Sequence, residues 1–158
     1  MVQILVVCMG NICRSPMAQA IGTYIAHAQN LEQQIRFDSA GTHAVAGGAQ
    51  PDPRAKLALE GQGYKIAKRR ARGLLEQDFG RFDLILGMDK EILADMRRRS
   101  SAEHANKLHL FLDFAPGLEG QDVLDPYFGN LDGFDQVLKL CEAGVRGLLR
   151  FPHQFVVK

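Results

Sequence analysis

Tryptophan is absent from this chain of 158 residues, and cysteine and proline are scarce, at 3 and 6. Three cysteines do not resemble the disulfide framework on which small secreted scaffolds depend, so reduced thiols and a cytoplasmic setting are expected. Long hydrophobic runs are missing as well. Ile4 to Val7, among the longest near the start, falls far short of the roughly 20 residues that span a bilayer, so no membrane segment is expected. The start also lacks a basic flank followed by an apolar stretch and a small-residue cleavage site, so no secretory signal is expected. Nor is there an excess of charge. Nineteen Lys and Arg stand against 18 Asp and Glu, a formal net charge of +1, which excludes a global field that would recruit nucleic acid or an anionic membrane. Anion recognition has to be local. The five histidines, His27, His43, His104, His109 and His153, form no helix-spaced pair and join no cysteine at zinc-ligand spacing, so no metal site and no cofactor are expected.

What is present is ordinary for a globular domain: 46% apolar residues and 23% charged, in a length that suits one domain over residues 1–158. Strands and helices alternate along it. Val2 to Val7, broken only by Gln3, suits a strand buried on both faces of a parallel sheet. Pro16 offers a preset φ at a first helical position, and Met17, Ala20, Ile21, Tyr24, Ile25 and Ala28 then recur at helical spacing. Ile35 to Ser39 is a second short strand, and Ala40 to Pro53, with three Gly and two Pro, a surface loop. Arg54 to Glu60 is expected to be helical and to stop at Gly61 and Gly63. Phe82 to Leu86 is a third strand. Asp89 caps a helix through Met96, with Arg97, Arg98 and Arg99 near its C-terminus. Lys107 to Leu112 supplies a fourth strand. The clearest amphipathic stripe is the last, Phe134, Val137, Leu138, Cys141, Val145, Leu148 and Leu149, which places Cys141 in the core, while Gly144 and Gly147 weaken the helix. The pattern predicts an α/β fold: a single domain with a twisted four-stranded parallel sheet, helices on both faces, and its ligand site beyond the carboxyl ends of the strands.

The loop after the first strand carries the chemistry. Cys8, Met9, Gly10, Asn11, Ile12, Cys13, Arg14, Ser15 and Pro16 place a thiol at a strand end and an arginine just before a helix. With 3 Cys, 12 Arg and 4 Ser in the chain, a Cys and an Arg-Ser pair at this spacing arise by chance about 0.006 times, so the spacing is informative once its context agrees. A strand-to-helix loop can turn successive N–H groups inward and form a nest for an anion at the positive end of the helix dipole. Gly10 is expected to supply the unusual backbone angles. Arg14 can give two parallel hydrogen bonds to phosphate oxygens. At the base of that electropositive cup, Cys8 is expected to be held as the thiolate, the nucleophilic form. A P-loop nucleotide site would need Gly-Lys-Ser/Thr, which the chain lacks. Lys68-Arg69-Arg70 and Arg97-Arg98-Arg99 are expected to be solvated faces, the alternative being that they attract acidic segments of a substrate.

At Cys8 to Pro16 the sequence resembles the signature loop of the low molecular weight protein tyrosine phosphatase family, and Asp125-Pro126-Tyr127-Phe128-Gly129 resembles its acid-bearing loop. Asp38 to Thr42, Pro51 to Ala55 and Phe82 to Asp89 are similar too, in order, across nearly the whole chain. The resemblance implies a metal-independent phosphatase acting on phosphotyrosine in proteins. Cys8 would attack phosphorus, Arg14 hold the equatorial oxygens, and Asp125 protonate the leaving phenolate and then activate water. Ser15 would hydrogen-bond the thiolate and Asn11 brace the loop, Met9, Gly10, Ile12 and Cys13 completing the phosphate cup. Tyr127 and Phe128 would wall a slot for the phenyl ring. Pro126 restricts Asp125 to extended geometry and so helps to aim it. On its own position, five residues from Cys8, Cys13 is expected either to form a reversible disulfide that shields the nucleophile from over-oxidation or to serve in packing. Relatives that act on phosphoarginine carry Thr where this chain has Ile12, which favours phosphotyrosine. The stretch His43 to Gly48 lacks the aromatic that the family's variable recognition loop often presents. A thioredoxin-coupled arsenate reductase shares the fold, but its relay needs two further cysteines, and the chain offers only Cys13 and distant Cys141.

Overall fold

Val2–Cys8 forms strand β1, and alternation along it sends neighbouring side chains to opposite sides of a sheet. In the computed structural model, which describes residues 1–44, 47–127, 129 and 131–150, helix α1 follows at Arg14–Ala28, strand β2 at Ile35–Gly41 and helix α2 at Pro53–Gly61. Then come the short helix α3 at Asp78–Arg81, strand β3 at Leu84–Gly87, helix α4 at Lys90–Arg99, strand β4 at Leu108–Leu110 and helix α5 at Leu131–Arg150. The four strands pair in parallel in the order β2-β1-β3-β4.

Both faces of this sheet are covered, as the continuous apolar runs require. Ile4, Val6, Leu84 and Leu86 pack with Met17 and Ile21 of α1, Leu59 of α2 and Phe134, Val137 and Leu138 of α5. Leu5, Val7 and Ile85 face the other way, onto Phe79 of α3 and Ile92, Leu93 and Met96 of α4. Each such side chain contributes roughly 1.5–3 kcal/mol on burial. Because β2 lies on one side of β1 and β3 on the other, the chain reverses direction at β1. The crevice this opens lies at the carboxyl ends of the strands. Cys8 is the last residue of β1 and sits opposite Gly41 of β2. Among the described residues no helix is long and apolar enough to cross a membrane.

Several boundaries differ from those the sequence suggests. Helix α1 starts at Arg14 rather than Pro16; Pro16 falls within the first turn, where its missing N–H is not needed. Tyr24, expected on the buried stripe, is 52% exposed, and Ala28 is exposed too, whereas Ala18, Gly22 and Ala26 are buried. The helix is wedged between the sheet and α5, so its buried surface is turned and widened relative to a single stripe. Strand β3 begins two residues later than expected. Strand β4 is only three residues long, because Phe111–Phe114 turns into a 3₁₀ helix. The stripe on α5, Cys141 included, is buried throughout. Gly144 and Gly147 are not mere weaknesses there. A Cβ on Gly147 would stand 1.7 Å from the Phe114 carbonyl oxygen, and one on Gly144 would stand 2.4 Å from the Phe111 ring, so both let α5 lie against that turn.

Candidate active site

The strand ends at Cys8, and five residues then curl back to the first turn of α1. Four carbonyls of this loop point outward. Cys8 O accepts from Thr42 N at 3.0 Å, Met9 O from His43 N at 2.8 Å, Ile12 O from Asp52 N at 2.8 Å and Cys13 O from Met17 N at 3.1 Å. In a trans peptide the following N–H points the opposite way, so the amides of Met9, Gly10, Cys13 and Arg14 turn toward the inside. They face a cavity of about 140 Å³ lined by Cys8, Met9, Gly10, Ile12, Cys13, Arg14, Asp125 and Tyr127. Such a ring of amides at a helix N-terminus is an anion cradle.

The left-handed backbone that the loop requires falls on Asn11, with φ at 56°, and not on Gly10. Asn tolerates that region better than most side chains, and here its side chain has every partner it can take. Nδ2 donates to Ser15 Oγ at 2.8 Å and Ser39 Oγ at 3.0 Å; Oδ1 accepts from Arg69 Nη2 at 2.7 Å and Arg72 N at 2.9 Å. Asn11 is buried, so these four bonds hold the strained turn in place. Ser15 Oγ lies 2.9 Å from Cys8 Sγ. A thiolate can only accept, so with Cys8 ionised the Ser15 hydroxyl is the donor.

Arg14 is 3% exposed and enters the cavity from the helix start. Its Nη1 donates to Asp89 Oδ2 at 2.6 Å and to the Val123 carbonyl at 2.9 Å, while Nη2 lies 3.6 Å from Asp125 Oδ2. Burial works against its charge, but the Asp89 hydrogen bond and the charges of Cys8, Asp125 and Asp89 outweigh that and hold the guanidinium above its ordinary value. Asp125 stands across the cavity on the loop before α5, its Oδ1 accepting from Tyr127 N at 3.0 Å. Tyr127, 44% exposed, lines the cavity rim, whereas Phe128 lies outside the described residues. Cys13 is buried, and burial, followed by the Asp52 carboxylate, pushes its thiol far up, so it stays protonated at neutral pH. A cysteine sulfur, a guanidinium, inward amides and a carboxylate thus share one small cavity.

Known proteins resemble this chain over nearly its whole length. Residues 3–156 match the low molecular weight phosphotyrosine protein phosphatase family. The chain belongs to that family. It is 38% identical, over 90% of its own length and 88% of the relative's, to a low molecular weight protein-tyrosine-phosphatase of Streptomyces coelicolor. Among solved structures, a protein tyrosine phosphatase of Entamoeba histolytica superposes with a TM-score of 0.92 at 30% identity, covering 98% of each chain. A low molecular weight phosphotyrosine phosphatase of Vibrio cholerae gives 0.90 at 37% identity, over 98% and 99%. The chain is therefore an enzyme of the protein-tyrosine phosphatase kind.

Several residues that build this phosphatase site were not singled out from the sequence. Asp89 was expected only as a helix cap; its Oδ1 does accept from Ile92 N at 2.8 Å, but Oδ2 also holds Arg14. Arg69, expected on a solvated face, instead bonds Asn11, Ser39 and Gln19 behind the loop. Arg54 is tied to Asp52 at 2.9 Å and donates to the carbonyls of Tyr127 and Gly129, pinning the Asp125 loop to the start of α2. Gly41 lies flush against the loop, where a Cβ would meet Met9 O at 2.5 Å and Asn11 N at 2.9 Å. Its neighbours there are backbone and cannot swing aside. Gly41→Ala is expected to displace the loop and lower kcat by about 100-fold, the scale of loss that a misplacement of roughly 1 Å causes. Steady-state kinetics, with circular dichroism to show a retained fold, would check this.

Proposed function

We propose that residues 1–158 form one phosphatase domain that removes phosphate from phosphotyrosine in proteins, with Cys8 as nucleophile and Asp125 as acid and base. The observation that carries this reading is the Cys8 sulfur at the foot of an amide-lined cavity, 2.9 Å from a serine hydroxyl, with Arg14 and Asp125 lining the same space. The phosphoryl group sits on the inward amides, and Arg14, its Nη1 fixed by Asp89 and Val123, offers its remaining edge to the equatorial oxygens. The Cys8 thiolate attacks phosphorus and the bond to the tyrosyl oxygen breaks. Asp125 gives its proton to the departing phenolate, and a cysteinyl-phosphate remains. Water then attacks phosphorus, Asp125 takes its proton, and the sulfur leaves as thiolate. Covalent catalysis splits the hydrolysis into two easier steps, and fixed donors stabilise the charge spread over the transferring group. The scheme needs no metal or cofactor.

Tyr127 at the rim forms one wall for the phenyl ring, its own ring held by the Arg54 guanidinium at 5.5 Å. Ile12 in the cavity wall favours that apolar ring over the charged guanidino group of phosphoarginine. An arsenate relay is disfavoured, because Cys13 and Cys141 are both buried and cannot pass a disulfide outward. All three cysteines are unpaired thiols, which supports a cytoplasmic location. The deciding measurement is hydrolysis of a phosphotyrosine peptide in chelator, with vanadate as inhibitor, beside the same peptide carrying phosphoarginine. Rapid release from phosphotyrosine is expected. Preferential release from phosphoarginine would overturn the assignment.

Cys13 also serves as redox partner of Cys8 in this reading. Peroxide converts the Cys8 thiolate to a sulfenic acid, and Cys13 displaces its hydroxyl as water to give the disulfide. Peroxide is expected to inactivate the enzyme and dithiothreitol to restore it, with the oxidised form 2 mass units lighter, about the loss of two hydrogens. Mass spectrometry that finds the two sulfurs unlinked removes the idea.

A further inference from the structure

Beside the phosphate cavity lies a second, larger cleft of about 410 Å³, with Gln50, Pro51 and Lys56 on one side and the segment Ile66 to Arg70 on the other. Half of its lining residues are cations, Lys56, Lys68, Arg69 and Arg70, and none is acidic. The carboxylates nearby are engaged elsewhere. Asp52 is buried under Arg54, Asp38 pairs with Arg72, and Glu60, which does not line the cleft, lies 3.9 Å from the Lys56 ammonium. In a chain of net charge +1 this is a marked local imbalance. Like charges brought together from two separate chain segments repel one another, and an anion in the cleft relieves that cost.

The cleft is joined to the active site by two short links. Pro51 precedes Asp52, whose N–H bonds the Ile12 carbonyl. Arg69, in the wall of the cleft, bonds Asn11 of the phosphate loop. An extended peptide advances roughly 3.3–3.6 Å per residue, so a substrate with its phosphotyrosine in the small cavity can lay residues a few positions away along the larger one. We propose that this cleft is a subsite for Asp and Glu residues flanking the phosphotyrosine of a protein substrate. The inference rests on the phosphotyrosine reading and adds the sequence class that the enzyme prefers. Lys68 and Arg70 are the discriminating groups, since both are exposed and the hydrogen bond from Arg70 to the Gly47 carbonyl lies outside the phosphate loop. They act on encounter as much as on binding, so the effect appears in kcat/KM.

The test compares two phosphotyrosine peptides, identical except that the flanking residues are Glu in one and Lys in the other, with para-nitrophenyl phosphate as a substrate that has no flanks. At low salt the Glu peptide is expected to show a kcat/KM about 10-fold higher than the Lys peptide. That preference should shrink at about 1 M salt, where screening acts within about 3 Å. The double variant Lys68→Glu, Arg70→Glu should abolish or invert it while para-nitrophenyl phosphate hydrolysis stays unchanged. Equal rates on the two peptides, or a preference that survives the charge reversal, overturn the subsite alone. Absence of hydrolysis of any aryl phosphate overturns it together with the phosphotyrosine reading.

Discussion

Cys8→Ser is expected to lower turnover of aryl phosphates by about 10⁴-fold or more, which is about 5 kcal/mol or more of transition-state stabilisation. The substitution changes one atom at a buried position, and Ser15 Oγ, 2.9 Å from the native sulfur, can hydrogen-bond either side chain, so the fold and the phosphate cradle are retained. What disappears is the proposed nucleophile. A hydroxyl has no neighbouring base here: Ser15 is neutral, the arginines are always protonated, and Asp125 is turned to Tyr127 N and toward Arg14. The cradle of amides and guanidinium should still bind phosphate, so the variant is expected to trap phosphotyrosine peptide without releasing phosphate. Binding by calorimetry and release of inorganic phosphate separate the two effects. Near-native turnover would end the covalent scheme, because no second thiol can substitute: Cys13 stays protonated under burial and the Asp52 carboxylate.

The sequence exposed those parts of the molecule whose cause is local. The strand from Val2, the cap at Asp89 and the stripe on α5 follow from residue type and period, and so does the position of Cys8 at a strand end before a helix. What stayed hidden depends on long-range meetings. Arg69 lies 58 residues from Asn11, and in the sequence it sits in a basic run that differs in no way from a solvated one. Only the packing of the segment before α3 against the loop reveals it as a brace. Gly41 closes β2 in a stretch rich in small residues, and its importance comes from the backbone of another element 2.5 Å from where its Cβ would be. Backbone flexibility alone points to Gly10 as the residue with unusual angles. Those angles fall at Asn11 because a side chain with four partners stabilises a left-handed backbone that a glycine, with none, would leave loose. Tyr24 shows the converse error: helical spacing identifies a face but not which neighbours reach far enough to cover it.

The second large effect falls on the proposed acid, Asp125. Asp125→Ala is expected to lower kcat by about 10²–10⁴-fold, roughly 3–5 kcal/mol, the usual contribution of a positioned general acid. The loss should not be uniform across substrates. A phenolate of high basicity needs the proton as its bond to phosphorus breaks, so phosphotyrosine should suffer most. An ester whose leaving group is already stable as an anion needs it far less. The variant therefore should steepen the dependence of rate on leaving-group basicity, with only a small change in phosphate affinity. Asp125 meets the guanidinium of Arg14 at 3.6 Å across the cavity and its side chain is 32% exposed, so its removal leaves no buried cation unpaired: Arg14 keeps Asp89 at 2.6 Å. That separation of duties makes the experiment decisive. If Asp89 fixes the guanidinium and Asp125 moves the proton, then Asp125→Ala changes the leaving-group slope and spares the fold. A uniform loss over all leaving groups, or a collapse of thermal stability, would instead mean that Asp125 is part of the scaffold that holds Arg14 in place.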